Sequence, residues 1–401
     1  MTVWGKSCKT YIRKPDFRRS YGGMGMYDFS KVEAILNEGE GYGAGPGRGL
    51  VVYHNHKQVF RQTAGFRDQE KGLPVKGDTL FNIFSCTKVM TCTAAMILLE
   101  RGKYQLDDPV SKYIPEYENV VVGETGEKPK NPILIRNLFT MSAGVSYEMN
   151  DELFCETGVA TGGAYPTLET MRRLSRRPLC FTPGSQFLYS LCHDVLGALI
   201  EIWSGMGFYD FIKQEILQPL GMNSTFFSVP EAEKNRMATL YAYNKEAGRA
   251  QPGDQKNMFH LGPQYESGGA GLISCLDDYG RFVEMLCNNG VTPEGRRIVR
   301  RESLDRLATP AFDDHWQETF RQRVSWGAGY RYGLGVYVVD DAKRANSLAS
   351  KGTFGWDGMA GSYVSVDREN QIGVFYVQHM TGGRSHEYQD RLRNAVYEEL
   401  L

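Results

Sequence analysis

Ser85 and Lys88, three residues apart, are the residues of this sequence best suited to nucleophilic chemistry. They lead into residues 89–101, where apolar spacing predicts a helix that ends before Gly102. At a helix N-terminus, backbone N–H groups favour developing negative charge. A lysine on the same helical face, in apolar surroundings, can lose its proton and then accept that of the serine. The spacing therefore predicts an activated serine; a helix cap beside a solvated lysine is the alternative that spacing alone leaves open.

Composition and charge exclude several other classes of protein. The 401 residues carry 46 basic and 47 acidic side chains, which gives no electrostatic bias toward nucleic acid or an anionic membrane. No apolar run approaches the length of about 20 residues that spans a bilayer, and the N-terminus has no apolar signal core. The eight cysteines are scattered without a Cys-x-x-Cys pair, which indicates reduced thiols. We therefore expect a cytoplasmic protein with no nucleic-acid or membrane partner, no metal and no cofactor.

Strand signals stand at both ends of the chain, with helical signals between them. Residues 50–66 read as a hairpin, residues 333–339, 361–366 and 372–378 as strands, and residues 195–203, 208–216, 279–287 and 391–400 as helices. The simplest assembly is one antiparallel sheet built from both ends, flanked by the terminal helices and interrupted by an inserted helical domain. We expect residues 1–84 and 276–401 to form the sheet domain and residues 85–275 the mostly helical one. The active site then lies in the cleft between them.

Two other segments could be mistaken for binding sites. The glycines of residues 39–49 do not match a dinucleotide loop and precede a strand, so they indicate a connector. His54 and His56 flank the predicted hairpin turn without a third ligand nearby, so they indicate solvated side chains. The glycine- and aromatic-rich residues 1–27 are interpreted as a flap.

Further segments extend the Ser-x-x-Lys pattern along most of the chain. Residues 81–109, 135–144 and 268–279 resemble the corresponding segments of serine β-lactamases and penicillin-binding proteins. The resemblance runs from about residue 50 to 380 and is closest to the class C-like branch, in particular the family VIII carboxylesterases. It implies a β-lactamase/transpeptidase-like α/β (α+β) fold, in agreement with the arrangement of strands and helices above.

The resemblance also implies a catalytic tyrosine, commonly in Tyr-x-Asn. Tyr117 matches that pattern with Asn119 but follows Lys88 closely. Tyr189 lacks the asparagine but stands in a Pro-Gly turn, residues 182–190, that resembles the family's and leads into a helix. A phenol near an ammonium group ionises more easily and can shuttle a proton. We therefore predict Tyr189 as the third catalytic residue.

The last element implied by the resemblance is a strand beside the nucleophile. Lys351-Gly352-Thr353 is a scrambled match to the family's Lys-Thr-Gly, whereas residues 354–363 resemble the esterase form, Trp-Gly-Gly. On that match, Trp356 replaces a cation, Asp357 departs from the pattern and Gly358 allows close approach of the substrate. The N–H groups of Met359 and Ser85 are then expected to form the oxyanion hole.

Substrate preference follows from two of these positions. Leu191 stands where the family often has an amide-binding asparagine, and Trp356 removes the cation that would pair with a β-lactam or peptide carboxylate. With Asp357 and Gly358 these residues are predicted to form the substrate pocket. We expect a serine hydrolase of small-molecule carboxylic esters. The alternatives are an acyltransferase with the same residues, then a β-lactamase or D-amino-acid peptidase, and, from another class, a catalytically silent sensor or binding module.

Overall fold

One large antiparallel sheet carries most of the strands. The computed structural model describes residues 27–38 and 43–401. Its sheet has eight strands in the order β3-β2-β1-β12-β11-β10-β9-β8, with β4–β7 and β13-β5-β6 as small separate sheets. The strands are β1 Gly47–His54, β2 Lys57–Asp68, β3 Leu73–Pro74, β4 Phe81–Asn82, β5 Tyr241–Asn244, β6 Arg249–Pro252, β7 Ile273–Ser274, β8 Tyr330–Tyr332, β9 Tyr337–Val339, β10 Phe354–Asp357, β11 Tyr363–Asp367, β12 Ile372–Gln378 and β13 Met380–Thr381.

Helices cover the sheet and form the insertion. They are α1 Ser30–Asn37, α2 Thr87–Glu100, α3 Ile135–Phe139, α4 Glu152–Ala160, α5 Thr167–Leu174, α6 Cys192–Ser204, α7 Phe208–Ile212, α8 Leu276–Cys287, α9 Arg301–Leu307, α10 Asp314–Arg323 and α11 Ser385–Leu400. Adjacent residues of β1 show that α1 and α8 lie on opposite faces of the sheet. Arg48 donates to the carbonyl of Leu36 in α1, whereas a side chain at Gly49 would meet Leu276 of α8.

The two ends of the chain meet at the centre of the sheet. β12 pairs with β1 over the whole length of β12, so that Arg48 lies opposite Gln378 and His54 opposite Ile372. This pairing confirms the single antiparallel sheet predicted from strand signals at both termini. The division at residues 84 and 275 stays a prediction.

Helix α2 is the central helix of the protein. Every residue from Thr87 to Leu98 is buried, because α2 packs against α6 of the insertion and also against β10 of the sheet. A helix that is buried all round is a core element, so its N-terminal end is held rigidly. The nucleophile candidate therefore stands on a fixed support between the two parts of the structure.

Several predicted element bounds need correction. Of the strand expected at residues 333–339, only the last three residues form one, β9; the residues before them make the turn from β8, in which Gly333 donates to the carbonyl of Val336 and Gly335 takes a φ of +88°. The closing helix begins at Ser385, six residues earlier than its apolar spacing indicates. Strand β10 was not predicted separately, since only four residues form it.

Other predictions concern the chain's surroundings and its termini. Among the described residues, no single helix is long and apolar enough to cross a membrane; one bent pair, Cys192–Ser204 and Phe208–Leu217, meets the criterion by length and composition. Most of Cys192–Ser204 is buried inside the protein. The predicted flap lies almost wholly outside the described residues, as does part of the glycine connector, whose last glycines belong to β1.

Candidate active site

Ser85 lies in a tight turn at the N-terminal end of α2. A short 3₁₀ turn, Phe84–Cys86, precedes the helix, and Ser85 retains 8% of its surface exposed. Phe84, directly before it, has a φ of +45°, a conformation that costs a non-glycine residue about 1–3 kcal/mol. Strain of this kind persists where the surrounding structure imposes it. The predicted helix thus begins two residues earlier than its apolar spacing indicates.

Lys88 is completely buried one turn into the helix. Its Nζ lies 3.2 Å from Ser85 Oγ and 2.6 Å from the carbonyl oxygen of Gly269. The i, i+3 spacing places both side chains on one helical face, and the carbonyl holds the amine in position. The alternative of a solvated lysine beside a helix cap does not agree with this burial. Lys88 is therefore positioned to exchange a proton with Ser85.

Tyr189 completes a triangle with these two residues. Its hydroxyl donates to Ser85 Oγ over 2.7 Å, and Lys88 Nζ lies 4.5 Å from the centre of its ring. Trp356 of β10 stacks on the phenol at 5.7 Å between ring centres and donates its Nε1–H to the phenol oxygen over 3.1 Å. The residue predicted to replace a cation thus supplies a neutral hydrogen-bond donor to Tyr189. A neutral donor stabilises the phenolate less than an ammonium group does.

The competing motifs lie elsewhere. Tyr117 is buried, donates to the carbonyl of Met171 over 2.9 Å, and has its pKa raised by burial. It is a core tyrosine with its hydroxyl engaged. Lys351 has an exposed side chain paired with Asp340 at 2.9 Å, so the scrambled Lys-Gly-Thr match plays no part in the site.

The turn after β10 approaches the segment before Ser85. A side chain at Gly358 would come within 2.5 Å of the Ile83 carbonyl oxygen, so only glycine permits this approach. The N–H of Gly358 donates to the carbonyl of Ser362 over 2.7 Å and closes the turn. Met359 is 46% exposed, and its N–H donates to no backbone acceptor among residues 27–38 and 43–401. An amide in this position is available to an oxyanion.

The predicted pocket role of Leu191 needs correction. Its side chain has no exposed surface and belongs to the hydrophobic core at the N-terminal end of α6. A leucine packs there because the positions around it are apolar. Leu191 therefore replaces the asparagine that the family often has at this position, but its side chain does not line the cleft. Asp357 is partly exposed and lies 3.5 Å from His386 of α11, on the side of β10 opposite to Trp356, and burial raises its pKa to about 7.

Two residues near Lys88 were missed by the sequence analysis. Tyr147 stacks on Tyr189 with ring centres 5.7 Å apart and lies 5.9 Å from Lys88 Nζ. Asp194 is completely buried, accepts from the hydroxyl of Tyr265 over 3.0 Å, and lies close to Lys88: a side chain at Gly269 would lie 2.7 Å from one carboxylate oxygen and 3.4 Å from Lys88 Nζ. An acidic residue at the start of an otherwise apolar helix was the available signal for Asp194.

The carboxylate of Asp194 is stabilised by Ser267 and by Lys88. Burial raises the pKa of Asp194, whereas a hydrogen bond from Ser267 and the positive charge of Lys88 oppose that rise. We expect Asp194→Asn to lower the free energy of unfolding by about 3–5 kcal/mol, because it removes the buried carboxylate that stabilises the protonated form of Lys88. Urea denaturation of the variant measures this change.

The matched control for this prediction is Tyr265→Phe, which removes the hydrogen bond to Asp194 but keeps both charges. We expect it to lower the free energy of unfolding by about 1–3 kcal/mol, because it removes one buried hydrogen bond to a charged group. Equal losses for the two variants would contradict a role for the charge of Asp194.

No metal centre is apparent in the part of the chain that the structure describes, where no three His, Cys, Asp or Glu side chains form a group that could hold an ion. His54 lies at the end of β1, with its ring engaged by Tyr27 and Asn55. His56 is exposed in the hairpin turn, so the two histidines do not form a metal pair.

The eight-stranded sheet with its inserted helices is the β-lactamase/transpeptidase-like fold, and its Ser-x-x-Lys helix faces Tyr189. The chain belongs to the beta-lactamase family, whose sequence model matches residues 32–398.

Similar proteins support this assignment. The chain is 30% identical over 371 residues to Esterase EstB of Burkholderia gladioli, a match that covers 86% of this chain and 89% of that protein. It is 25% identical over 345 residues to Acyltransferase calJ of Penicillium decumbens, with 80% of each chain covered. Among solved structures, EstCE1, described as a hydrolase with promiscuous acyltransferase activity, superimposes with a TM-score of 0.76 and 26% identity, covering 92% of this chain and 97% of that one. The family and fold implied by the sequence motifs are thus confirmed.

Proposed function

We propose that this protein hydrolyses small-molecule carboxylic esters through an acyl-enzyme on Ser85. One observation carries the proposal: Ser85 Oγ lies within hydrogen-bond distance of both Lys88 Nζ and Tyr189 OH, at 3.2 and 2.7 Å. A nucleophile in contact with a base and with a second proton carrier has what two-step acyl transfer requires.

The first half of the reaction forms the acyl-enzyme. Lys88, in its free-amine form, takes the proton of Ser85 as Oγ attacks the ester carbonyl. The N–H groups of Ser85 and Met359 then stabilise the oxyanion of the tetrahedral intermediate. As the intermediate collapses, the C–O bond to the alcohol breaks, and Tyr189 gives its proton to the departing oxygen. The proton held by Lys88 restores that of Tyr189.

The second half repeats these steps with water. Water attacks the acyl carbonyl and passes its proton to the Tyr189–Lys88 pair. The bond to Ser85 Oγ breaks, Oγ recovers a proton, and the carboxylic acid leaves. No metal or cofactor takes part in this scheme.

Three observations support an ester rather than a β-lactam or peptide. Trp356 places a neutral N–H, not an ammonium group, against Tyr189. Asp357, the next residue of β10, adds an acid and not a cation to this strand. Similarity to an esterase, EstB, over most of both chains points the same way.

Acyl transfer to an alcohol other than water is the second candidate. It is favoured by the similarity to Acyltransferase calJ and to EstCE1, whose description includes acyltransferase activity. The chemistry differs only in the acceptor, so adding a simple alcohol to the esterase assay distinguishes the two. A transferase would form the new ester in preference to the acid.

We expect p-nitrophenyl butyrate to be turned over with a kcat/KM at least about 100-fold above that of the β-lactam nitrocefin. A lactam carries a carboxylate, and Trp356 stands at the position of the cation that would pair with it. An unpaired buried charge costs a few kcal/mol. Parallel initial-rate measurements with the two chromogenic substrates test this ratio. Faster turnover of nitrocefin would favour a β-lactamase, and turnover of neither, without a covalent adduct, would favour a catalytically silent binding module.

A further inference from the structure

We propose that Gln389 of α11 is a positioning residue for the oxyanion hole. Its buried amide holds residues 358–362, the oxyanion turn, in the conformation that directs the N–H of Met359 toward the substrate carbonyl at Ser85. The inference rests on the proposed ester hydrolysis and adds to it a residue that acts without touching the substrate. Gln389 lies in the first part of α11, which its apolar spacing did not indicate.

The oxyanion turn is a tight turn with a glycine at each end. The N–H of Gly361 donates to the carbonyl of Gly358 over 2.8 Å, so Met359 and Ala360 are the two central residues. Gly361 takes a φ of +95°, and a glycine can adopt many other conformations at little cost. The sequence of the turn therefore does not by itself fix the direction of the Met359 N–H. Contacts from outside the turn have to fix it.

Two such contacts bind neighbouring carbonyl groups of the turn. The carbonyl of Ala360 accepts from the backbone N–H of Met380 over 3.1 Å. The carbonyl of Gly361 accepts from a side chain, Gln389 Nε2, over 2.8 Å. Gln389 is 4% exposed, so this hydrogen bond is shielded from water. It fixes the peptide group at the end of the turn, where the glycine would otherwise allow that group to rotate.

Helix α11 reaches the oxyanion turn from the face of the sheet opposite to the nucleophile. Tyr388 donates to the carbonyl of Ile35, so α11 packs on the same face as α1. Tyr279 of α8 donates to the carbonyl of Cys86, so the N-terminal end of α2 lies on the α8 face. Gln389 thus acts on the catalytic side only through the backbone of the turn.

A second residue of α11 contacts the strand that leads into the turn. His386 precedes Gln389 by three residues, which places both side chains on one helical face. His386 Nδ1 lies 3.5 Å from the carboxylate of Asp357, the last residue of β10. One face of α11 therefore supports the hairpin both before and after the exposed Met359, and Gln389 supplies the hydrogen bond to the turn itself.

The position of the turn matters because an oxyanion hole acts over a narrow range of distances. A donor has to stand about 2.7–3.1 Å from the oxygen atom that becomes charged in the transition state. Without the amide of Gln389, the Gly361 carbonyl loses its hydrogen bond and the turn can change its conformation. The loss should appear in kcat and not in KM, since the oxyanion is absent from the bound ester.

The experiment uses Gln389→Met, which keeps an unbranched side chain of similar length but cannot donate a hydrogen bond. We expect kcat for p-nitrophenyl butyrate to fall about 10–100-fold, with KM within about twofold of the wild type. Butylboronic acid forms a tetrahedral adduct with Ser85 Oγ that places an oxygen atom in the oxyanion hole. Its inhibition constant should rise by about the factor by which kcat/KM falls. A smaller fraction of folded enzyme would lower kcat but leave this constant unchanged.

Tyr388→Phe is the matched control, because it removes one buried hydrogen bond from the neighbouring residue of the same helix, over 3.0 Å to Ile35. Urea denaturation should show a loss of stability similar to that of Gln389→Met, whereas kcat and the inhibition constant should equal those of the wild type. Gln389→Leu also lacks a donor and takes the place of Gln389→Met if that variant does not fold.

Two results would overturn the role of Gln389: wild-type kcat and inhibition constant in Gln389→Met, or an equal loss of both in Tyr388→Phe. If the wild type turns over no ester and Ser85 takes no fluorophosphonate, the proposed hydrolase function fails instead, which is a different outcome.

Discussion

Replacing Ser85 with alanine is expected to abolish covalent labelling by a fluorophosphonate and to lower kcat for p-nitrophenyl butyrate by about 10⁴–10⁶-fold. The residual rate comes from substrate binding and the oxyanion hole. Lys88→Ala should also prevent labelling. Lys88 Nζ lies 3.2 Å from Ser85 Oγ, and the variant lacks this amine to accept the serine proton. Intact-mass spectrometry after a fixed exposure gives one adduct for the wild type and none for either variant.

Ser190→Ala is a suitable control for this experiment. Ser190 is also a buried serine near the site, but its hydroxyl contacts the sulfur atoms of Met141 and Cys192. It should label as the wild type does. An unlabelled wild type would exclude the serine hydrolase, and an adduct that persists in Ser85→Ala would assign the nucleophile to another residue.

The second large effect concerns the choice between two tyrosines. Tyr189→Phe is expected to lower kcat by about 10²–10⁴-fold with a smaller change in KM, because the ring stacking with Trp356 survives while the proton carrier is lost. Tyr117→Phe should leave kcat within about twofold and lower the free energy of unfolding by about 0.5–1.5 kcal/mol, through the bond to Met171. Steady-state kinetics and urea denaturation of both variants measure these changes.

The same two variants can also contradict the assignment of Tyr189 as the proton carrier. If Tyr117→Phe abolished turnover and Tyr189→Phe did not, the role given to Tyr189 would be wrong. If both variants retained the wild-type kcat, Lys88 alone would have to move both protons.

The positions of the strands were predictable because pleated segments carry alternating or continuously apolar side chains. β12 begins and ends at the residues that its pattern indicates. The hairpin of β1 and β2 begins at Gly47 and ends at Asp68, close to the predicted residues 50–66. The pattern did not reveal the turn between β8 and β9, since an apolar run reads continuously until a glycine with positive φ reverses the chain. Helix α11 begins before its apolar pattern does, because its first turn is polar. His386 in that turn lies beside Asp357.

Ser85 and Lys88 could be paired from the chain alone, because a helix brings residues three apart onto one face whatever surrounds it. The residues that surround this pair could not be predicted in the same way. Tyr189 reaches Ser85 across 104 residues of sequence and Trp356 reaches Tyr189 across 167, and such contacts depend on how the insertion packs against the sheet.

The contrast between local spacing and distant contacts also explains which site residues the motifs predicted and which they missed or misplaced. Leu191 follows Tyr189 closely in sequence, yet its position at the start of α6 turns it into the core. Asp194 lies beside Lys88 only because residues 268–269 pass between α2 and α6. Local spacing thus gives the nucleophile and its base, whereas the burial and neighbours that set the charge of a group come from contacts distant in sequence, and these appear only when the chain is folded.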